Sequence, residues 1–343
     1  MGVGVVAAGA AVAAAVAVTA PGSPEDAPAR VDLNKQAVLA AAAKAELLPT
    51  GAYWYTDQIQ GQSYMMRPKT GSYAIVGAHS ETFRWAAAKK GGGEAFYGRF
   101  LAARPLTEQD EAAWKRAGSP AKFRVWSNDH YSTYTRKTTE WRVDDPDPAG
   151  GGRWLDGKTA HQLQDLPTDP QALAAMFFKP ALSPMSPEKR AALRERGVKP
   201  RTPPPMTPRD KVLRVEDLMM EAPLSPAVRA GLMRALAAQP GVRAIGSVVD
   251  ELGRRGVALA ADNGTARVGG EYGAPAGEQG DFDSREEIIF DPGTGGLLGS
   301  RTVLTRPGGA YRTRAPGFVI NYWLVRDSGW TDAKPKPPAK PPF

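Results

Sequence analysis

The residues best suited to hold a ligand are aromatic. Trp54, Trp85, Trp126, Trp141 and Trp154 all fall in the first half of the chain. Rings of this size either fill a core or line a groove for lipid, glycan or peptide, since each offers a wide apolar face and one N–H donor. Trp54, Trp85, Trp141 and Trp154 lie in short strand-like runs and form the candidate ligand groove. Residues that could do covalent or acid–base chemistry are less well arranged. His79, His130 and His161 have neither i+4 nor HExxH spacing, so a metal site would need convergence from distant parts of the chain. Glu286-Glu287 and the Asp281/Asp283 pair bring carboxylates together in sequence. A glycosidase sets two carboxyl groups ~5–9 Å apart across a sugar, whereas such a run is more simply a solvated strand edge. No serine sits in a G-x-S-x-G elbow. Asp291-Pro-Gly-Thr-Gly-Gly296 has the glycine content of a phosphate loop, but Leu297-Leu298 follow where Lys and Ser/Thr would open a helix, so a hairpin turn is expected.

Composition narrows the classes further. The chain has 343 residues and no cysteine, which removes disulfides, thiol nucleophiles and thiolate metal sites. The formal charge of +8 favours anionic partners such as lipid headgroups or wall polymers. Nucleic-acid binding would need a basic stripe interleaved with stacking aromatics, and here the basic residues are dispersed. No cofactor and no nucleic acid are expected, and no enzymatic activity is assigned.

The elements that position these residues begin with an uncharged run of Ala and Val from Gly2 to Ala20. A helix of that length spans ~28 Å, close to the hydrocarbon thickness of a bilayer. A single transmembrane anchor over 1–20 is the leading reading. A signal peptide ending at Val18-Thr19-Ala20 and a buried Ala-rich segment are the alternatives. No Lys or Arg precedes the run, and acidic Pro21-Gly22-Ser23-Pro24-Glu25-Asp26 follows it, which places the remainder outside the cytoplasm at the plasma membrane. Residues 21–31 read as a linker, 32–330 as an extracytoplasmic domain, and 331–343 as a disordered Lys/Pro tail.

Within the domain, Leu39, Ala42, Ala43 and Leu47 share one face of a helix over 32–48. Tyr53-Trp54-Tyr55, Thr82–Trp85 and Glu140–Val143 carry strand signals, Arg153-Trp154-Leu155 begins another candidate strand, and 61–80 reads as an interruption. Asp169-Pro170, Ser186-Pro187, Thr207-Pro208 and Ser225-Pro226 each set a capping side chain before a Pro suited to the first helical position. Thr207 and Asp210 have capping-box spacing. Strands are expected at 242–249, 256–262, 285–291, 297–305 and 317–326, with a Gly-rich loop over 263–284. The last strand is apolar on both faces and belongs either at a sheet centre or beneath helices. The fold class is therefore α+β, with a curved antiparallel sheet and helices on one face.

Several of these segments resemble an uncharacterised actinobacterial family of single-pass membrane proteins often encoded beside extracytoplasmic-function sigma factors. They are Asp165-Leu-Pro-Thr-Asp-Pro-Gln-Ala-Leu173, Val228-Arg-Ala-Gly-Leu-Met-Arg-Ala-Leu-Ala-Ala-Gln-Pro-Gly-Val242, Gly253-Arg-Arg-Gly-Val257, Glu287-Ile-Ile-Phe-Asp-Pro-Gly-Thr-Gly295 and Leu297-Leu-Gly299. By fold analogy the resemblance implies an open half-barrel of the lipoprotein-carrier and sigma-regulator kind. That would make the protein a non-enzymatic, membrane-tethered binding or sensing domain for a lipid, acyl or peptide ligand. A sigma-factor link is implied by the resemblance alone. Related chains carry a cytoplasmic stretch before the helix. Here Met1 alone precedes the run, so the expectation is either action wholly outside or a start further upstream. The competing readings are a structural envelope protein that binds anionic wall polymer, and an exported hydrolase using a carboxylate pair.

Overall fold

The computed structural model describes residues 33–45, 51–127, 129–180, 195–196 and 204–343. The expected anchor over 1–20, the linker over 21–31 and the cap at Ser186 lie outside these. Among the described residues no helix is long and apolar enough to cross a membrane.

The described chain is α+β. Twelve strands are β1 (Tyr53–Met66), β2 (Tyr73–Ala87), β3 (Glu94–Phe100), β4 (Arg104–Pro105), β5 (Lys122–Ser127), β6 (His130–Thr135), β7 (Arg142–Asp147), β8 (Val242–Val249), β9 (Arg255–Val268), β10 (Gly280–Phe290), β11 (Leu297–Arg306) and β12 (Val319–Thr331). Helices are α1 (Leu33–Ala45), α2 (Glu108–Arg116), α3 (Ala160–Gln164), α4 (Pro170–Phe177), α5 (Pro208–Glu221) and α6 (Pro226–Ala237). Ten strands make one antiparallel sheet in the order β7-β3-β2-β1-β12-β11-β10-β9-β8, with β4 paired to β2. β5 and β6 form a separate hairpin. Strands β7 and β8 end the order without pairing to each other, so the sheet is open.

Two meanders build this sheet, and the pairing of the first strand with the last joins them, from Tyr53↔Thr331 to Gln62↔Asn321. The doubly apolar β12 therefore stands at the centre. Strand signals at 61–80 were masked by polar residues: β1 continues to Met66 and β2 starts at Tyr73. Likewise β9 and β10 extend well into the supposed 263–284 loop, leaving only 269–279 between them. Arg153–Leu155 begins no strand. Trp154 instead bridges Lys158 around a 3₁₀ turn.

Helices α1, α3, α4, α5 and α6 cover one face. Val38, Val215, Leu218, Leu232, Met233 and Leu236 pack with Leu259, Ile288 and Phe290. The caps are local and as spaced: Asp169 accepts from Ala172 N–H, Ser225 from Val228 N–H, and Thr207 with Asp210 closes a capping box. α4 crosses α6 closely at Gly231, where a Cβ would meet Leu173 Cδ1 and the Thr168 carbonyl at 2.5 Å each.

The opposite face differs. Trp54 and Ala86 join the helix-side core, so by strand alternation Tyr55, Asp57, Glu81, Phe83 and Trp85 point the other way. There the 331–343 expectation needs correction. Thr331 closes β12, and the residues after it lie along the sheet as an extended, packed segment. Trp141 Nε1 donates to Pro338 O at 2.8 Å, and Arg99 and Arg326 each donate to Lys340 O at 3.0 Å. Proline removes donors and holds the chain extended, but it leaves every carbonyl free to accept.

Candidate ligand pocket

A cavity of about 360 Å³ opens between the β5–β6 hairpin and the 269–279 loop. Its floor is apolar: Met65, Phe282, Ala310, Tyr311 and Ile320. The register of β1 against β2 shifts between Gln60 and Gln62, and Ala78 on β2 adopts φ 43°. Strand alternation turns Tyr64 toward the hairpin and Met65 toward the floor. Tyr64 Oη lies 3.1 Å from Ser127 Oγ and 3.3 Å from Tyr134 Oη, which ties the hairpin to β1. Phe282 meets Tyr311 edge-on at 5.2 Å, and Trp126 meets Tyr131 edge-on at 5.1 Å.

The loop over the mouth is fastened at several points. Gln279 Nε2 donates to Ala274 O at 2.7 Å, Arg312 donates to Gly277 O and Gln279 O at 3.2 Å each, and Arg67 pairs with Glu278. Gly273 adopts φ 82°, and a Cβ there would lie 3.5 Å from the Trp126 ring. Tyr272 projects beside the mouth, 77% exposed. Arg267, Glu271 and Glu278 supply charge at the rim. Burial pushes the phenols of Tyr64 and Tyr311 well above their ordinary range, so both stay neutral hydrogen-bonding groups. A space with an apolar, aromatic floor and a charged rim can take a molecule with one apolar and one polar end.

The four tryptophans of the expected groove do not share it. Trp54 and Trp154 belong to the helix-side core; Trp54 meets Trp330 edge-on at 5.6 Å, beneath the Arg229 guanidinium. Trp85 and Trp141 lie on the opposite face among Tyr53, Tyr55, Phe83 and Tyr97. Trp126 is the tryptophan that lines the pocket. Tyr64 and Met65 sat in a segment read as an interruption, and Tyr272 in a glycine-rich loop. The Tyr64-Met65-Met66 apolar run was the available signal.

The ionisable candidates are spoken for. His79 is buried between Ala102 O at 3.0 Å and Tyr322 Oη at 3.2 Å, and burial lowers its pKa to about 4. His130 and His161 pair with Asp129 and Asp165 at 2.7 Å each, in exposed positions. No group of three or more potential metal ligands converges among the described residues. Glu286 and Glu287 are adjacent on β10 and so point to opposite faces. The first accepts from Thr302 Oγ1; the second holds Arg285 and Arg301. Asp283 is gripped by Arg306. At 291–296, Asp291 Oδ1 accepts from Gly293 N–H at 2.6 Å inside the β10–β11 hairpin.

No family model matches the chain, and no curated protein does. Among solved structures, the complex of Pseudomonas aeruginosa MucA and MucB is similar at 12% identity, with a TM-score of 0.23. The match covers 88% of this chain and 59% of that one. A score of that size carries no argument about fold or function, so the site is judged on its own geometry.

Proposed function

We propose that this protein is a non-enzymatic binding or sensing domain that receives the acyl part of an amphipathic lipid in the pocket between the β5–β6 hairpin and the 269–279 loop. The observation that carries this reading is the pocket itself: about 360 Å³ with an aromatic, apolar floor and a charged rim. Cavities of this size commonly hold small ligands. Met65 and Ile320 would meet the chain, while Arg267 at the rim would meet an anionic headgroup. The open antiparallel sheet with helices on one face supports a half-barrel carrier architecture by analogy alone. The uncharged run Gly2–Ala20 supports a tether that keeps the domain on the outer side of the plasma membrane, near such ligands.

Titration of the full chain with a fluorescent long-chain fatty acid tests the reading. Saturable binding is expected, and Ala310→Trp, which fills the floor, is expected to weaken it at least tenfold while leaving the circular dichroism unchanged. Binding that does not saturate, or that survives Ala310→Trp in a folded protein, would sink the proposal. A reporter fused after Phe343 tests the topology; activity inside the cytoplasm would contradict it.

A further inference from the structure

On the sheet face away from the main helices, segment 334–343 lies in a groove whose construction is specific. The segment reads Lys-Pro-Lys-Pro-Pro-Ala-Lys-Pro-Pro-Phe. Half of its residues lack a backbone N–H, so it presents carbonyls in excess of donors. The groove answers with donors. Trp141 Nε1 gives its hydrogen bond to Pro338 O, and two guanidiniums converge on Lys340 O. A sheet edge would instead alternate donors and acceptors.

The two guanidiniums are held independently of the segment. Glu81, with its side chain 0% exposed, accepts from Arg99 Nε at 2.7 Å through one oxygen and from Arg326 Nη1 at 2.6 Å through the other. The Arg99 side chain is itself only 4% exposed and lies 4.3 Å from the Trp141 ring centroid. One buried carboxylate thus aims two charged donors at a single point along the groove. Side-chain subsites flank that point. Lys334 Nζ stands 4.5 Å over Trp85, and the Phe343 ring sits 5.2 Å from His79 and 4.4 Å beneath the Arg104 guanidinium. Aromatic walls with a few directed donors are how extended proline-rich peptides are recognised, since such peptides lose little conformational freedom on binding.

The resident segment does not fill this groove. An open depression of about 470 Å³ lies between Ala333–Pro338 and the floor formed by Tyr55, Asp57, Phe83, Arg326 and Asp327. It leaves room beside the segment for larger side chains than Ala333 and its neighbours provide.

We propose that this face is a second binding site, a groove for an extended proline-rich peptide of a partner protein, which residues 334–343 occupy in cis and thereby regulate. The partner segment would carry carbonyl acceptors two residues apart, as Pro338 and Lys340 do, with an aromatic residue three positions further on. This site is separate from the acyl pocket and does not depend on it.

The test uses the full chain and a fluorescein-labelled peptide of sequence KPKPPAKPPF, read by anisotropy. The unmodified chain is expected to bind weakly, because its own segment competes. Phe343→Ala loosens that segment and is expected to raise peptide affinity at least tenfold. Adding Trp141→Ala to Phe343→Ala is expected to remove the gain. A peptide with every Pro replaced by Ala is expected to bind at least tenfold more weakly. No gain from Phe343→Ala, or equal binding of the Ala-substituted peptide, would overturn the proposal. So would a dimer of Phe343→Ala by analytical ultracentrifugation, which would make a second copy the occupant. Should Trp141→Ala disturb the fold, Trp141→Phe keeps the ring and removes only the donor; undiminished binding there would equally overturn it.

Discussion

Each face of the sheet carries a buried layer, and the two layers are held by different physics. Beneath the main helices, Leu232, Met233 and Leu236 meet Leu259, Ile288 and Phe290 in an apolar layer. On the other side, buried Glu81 and Arg99 form an ionic cluster with the half-buried Arg326 beside Asp57, whose carboxyl pKa is raised to about 8 by burial and then by Glu81. Glu251, Arg285 and Arg301 gather with buried Glu287 in another. An apolar layer tolerates substitution by volume, because burial is non-directional. A charged layer depends on matching, because each ion taken from water must find its partner. The contrast explains why the ligand-like segment 334–343 lies on the charged side: fixed charges can aim donors at a carbonyl, and methyl groups cannot.

The largest expected effect tests that contrast directly. Glu81→Gln leaves Arg99 and Arg326 without their shared carboxylate, and breaking a buried pair typically costs ~3–5 kcal/mol. Leu232→Ala on the helix side is expected to cost ~2–5 kcal/mol. Urea denaturation of both variants compares them. Replacing Asp57, Glu81, Arg99 and Arg326 together by Leu, Leu, Met and Met is expected to recover most of the loss, since the whole cluster is then apolar and no charge is left unpaired. If the quadruple variant is no more stable than Glu81→Gln, matching is not what holds this face.

The next test concerns an exception on the apolar side. Glu216 of α5 is buried, and its carboxyl accepts from Ser300 Oγ at 2.5 Å. Burial first, then the nearby Glu286 and Asp217, raise its pKa from 4.5 to about 8, against the lowering influence of Ser300 and Arg209. The folded state therefore holds a proton that the unfolded chain has already released. The stability from this group is fully present below about pH 4.5 and is lost as pH rises to about 8. Unfolding free energies measured from pH 4 to 9 are expected to fall less steeply for Glu216→Gln than for the unmodified chain. Parallel profiles would show that Glu216 ionises in the fold at its ordinary pKa.

The legible parts of this fold were those decided within a few residues. Asp169, Thr207 and Ser225 each cap a helix because the accepting side chain and the donating N–H are three positions apart. Strand β8 matched its expected bounds, and β12 stood at the centre because it is apolar on both faces. The illegible parts depend on partners far away in sequence. Gln58, Gln60 and Gln62 look like loop residues, yet they stand in a central strand because β12 pairs beside them from residue 319 onward. Nothing near Asp57 or Glu81 in sequence supplies a partner; the fold brings Arg99 and Arg326 to them from residues 18 or more positions away. Asn263 and Thr265 continued β9 because Ser284 and Asp283 across the strand pair gave them hydrogen bonds at 3.0 and 2.6 Å. The pocket was hidden for the same reason: its floor joins residues near 65, 282, 310 and 320.

The smallest expected effect isolates burial as the variable. Arg84 of β2 and Glu221 of α5 pair on the helix side at 2.9 Å, with side chains 37% and 53% exposed. Arg99 and Glu81 are the same two residue types on the other face, 4% and 0% exposed. Distance does not separate the two pairs; solvent does. Water screens the Arg84–Glu221 attraction, and holding two long side chains together opposes it entropically, so coupling of ~0.2–1 kcal/mol is typical for such a pair. A double-mutant cycle through Arg84→Ala and Glu221→Ala is expected to return a value in that range, shrinking further in 1 M salt as the Debye length contracts to ~3 Å. The Arg99–Glu81 pair is expected to keep most of its coupling under the same salt, because no ions reach it. A salt response of equal size at both pairs would mean that the 334–343 segment does not seal its side of the sheet from solvent.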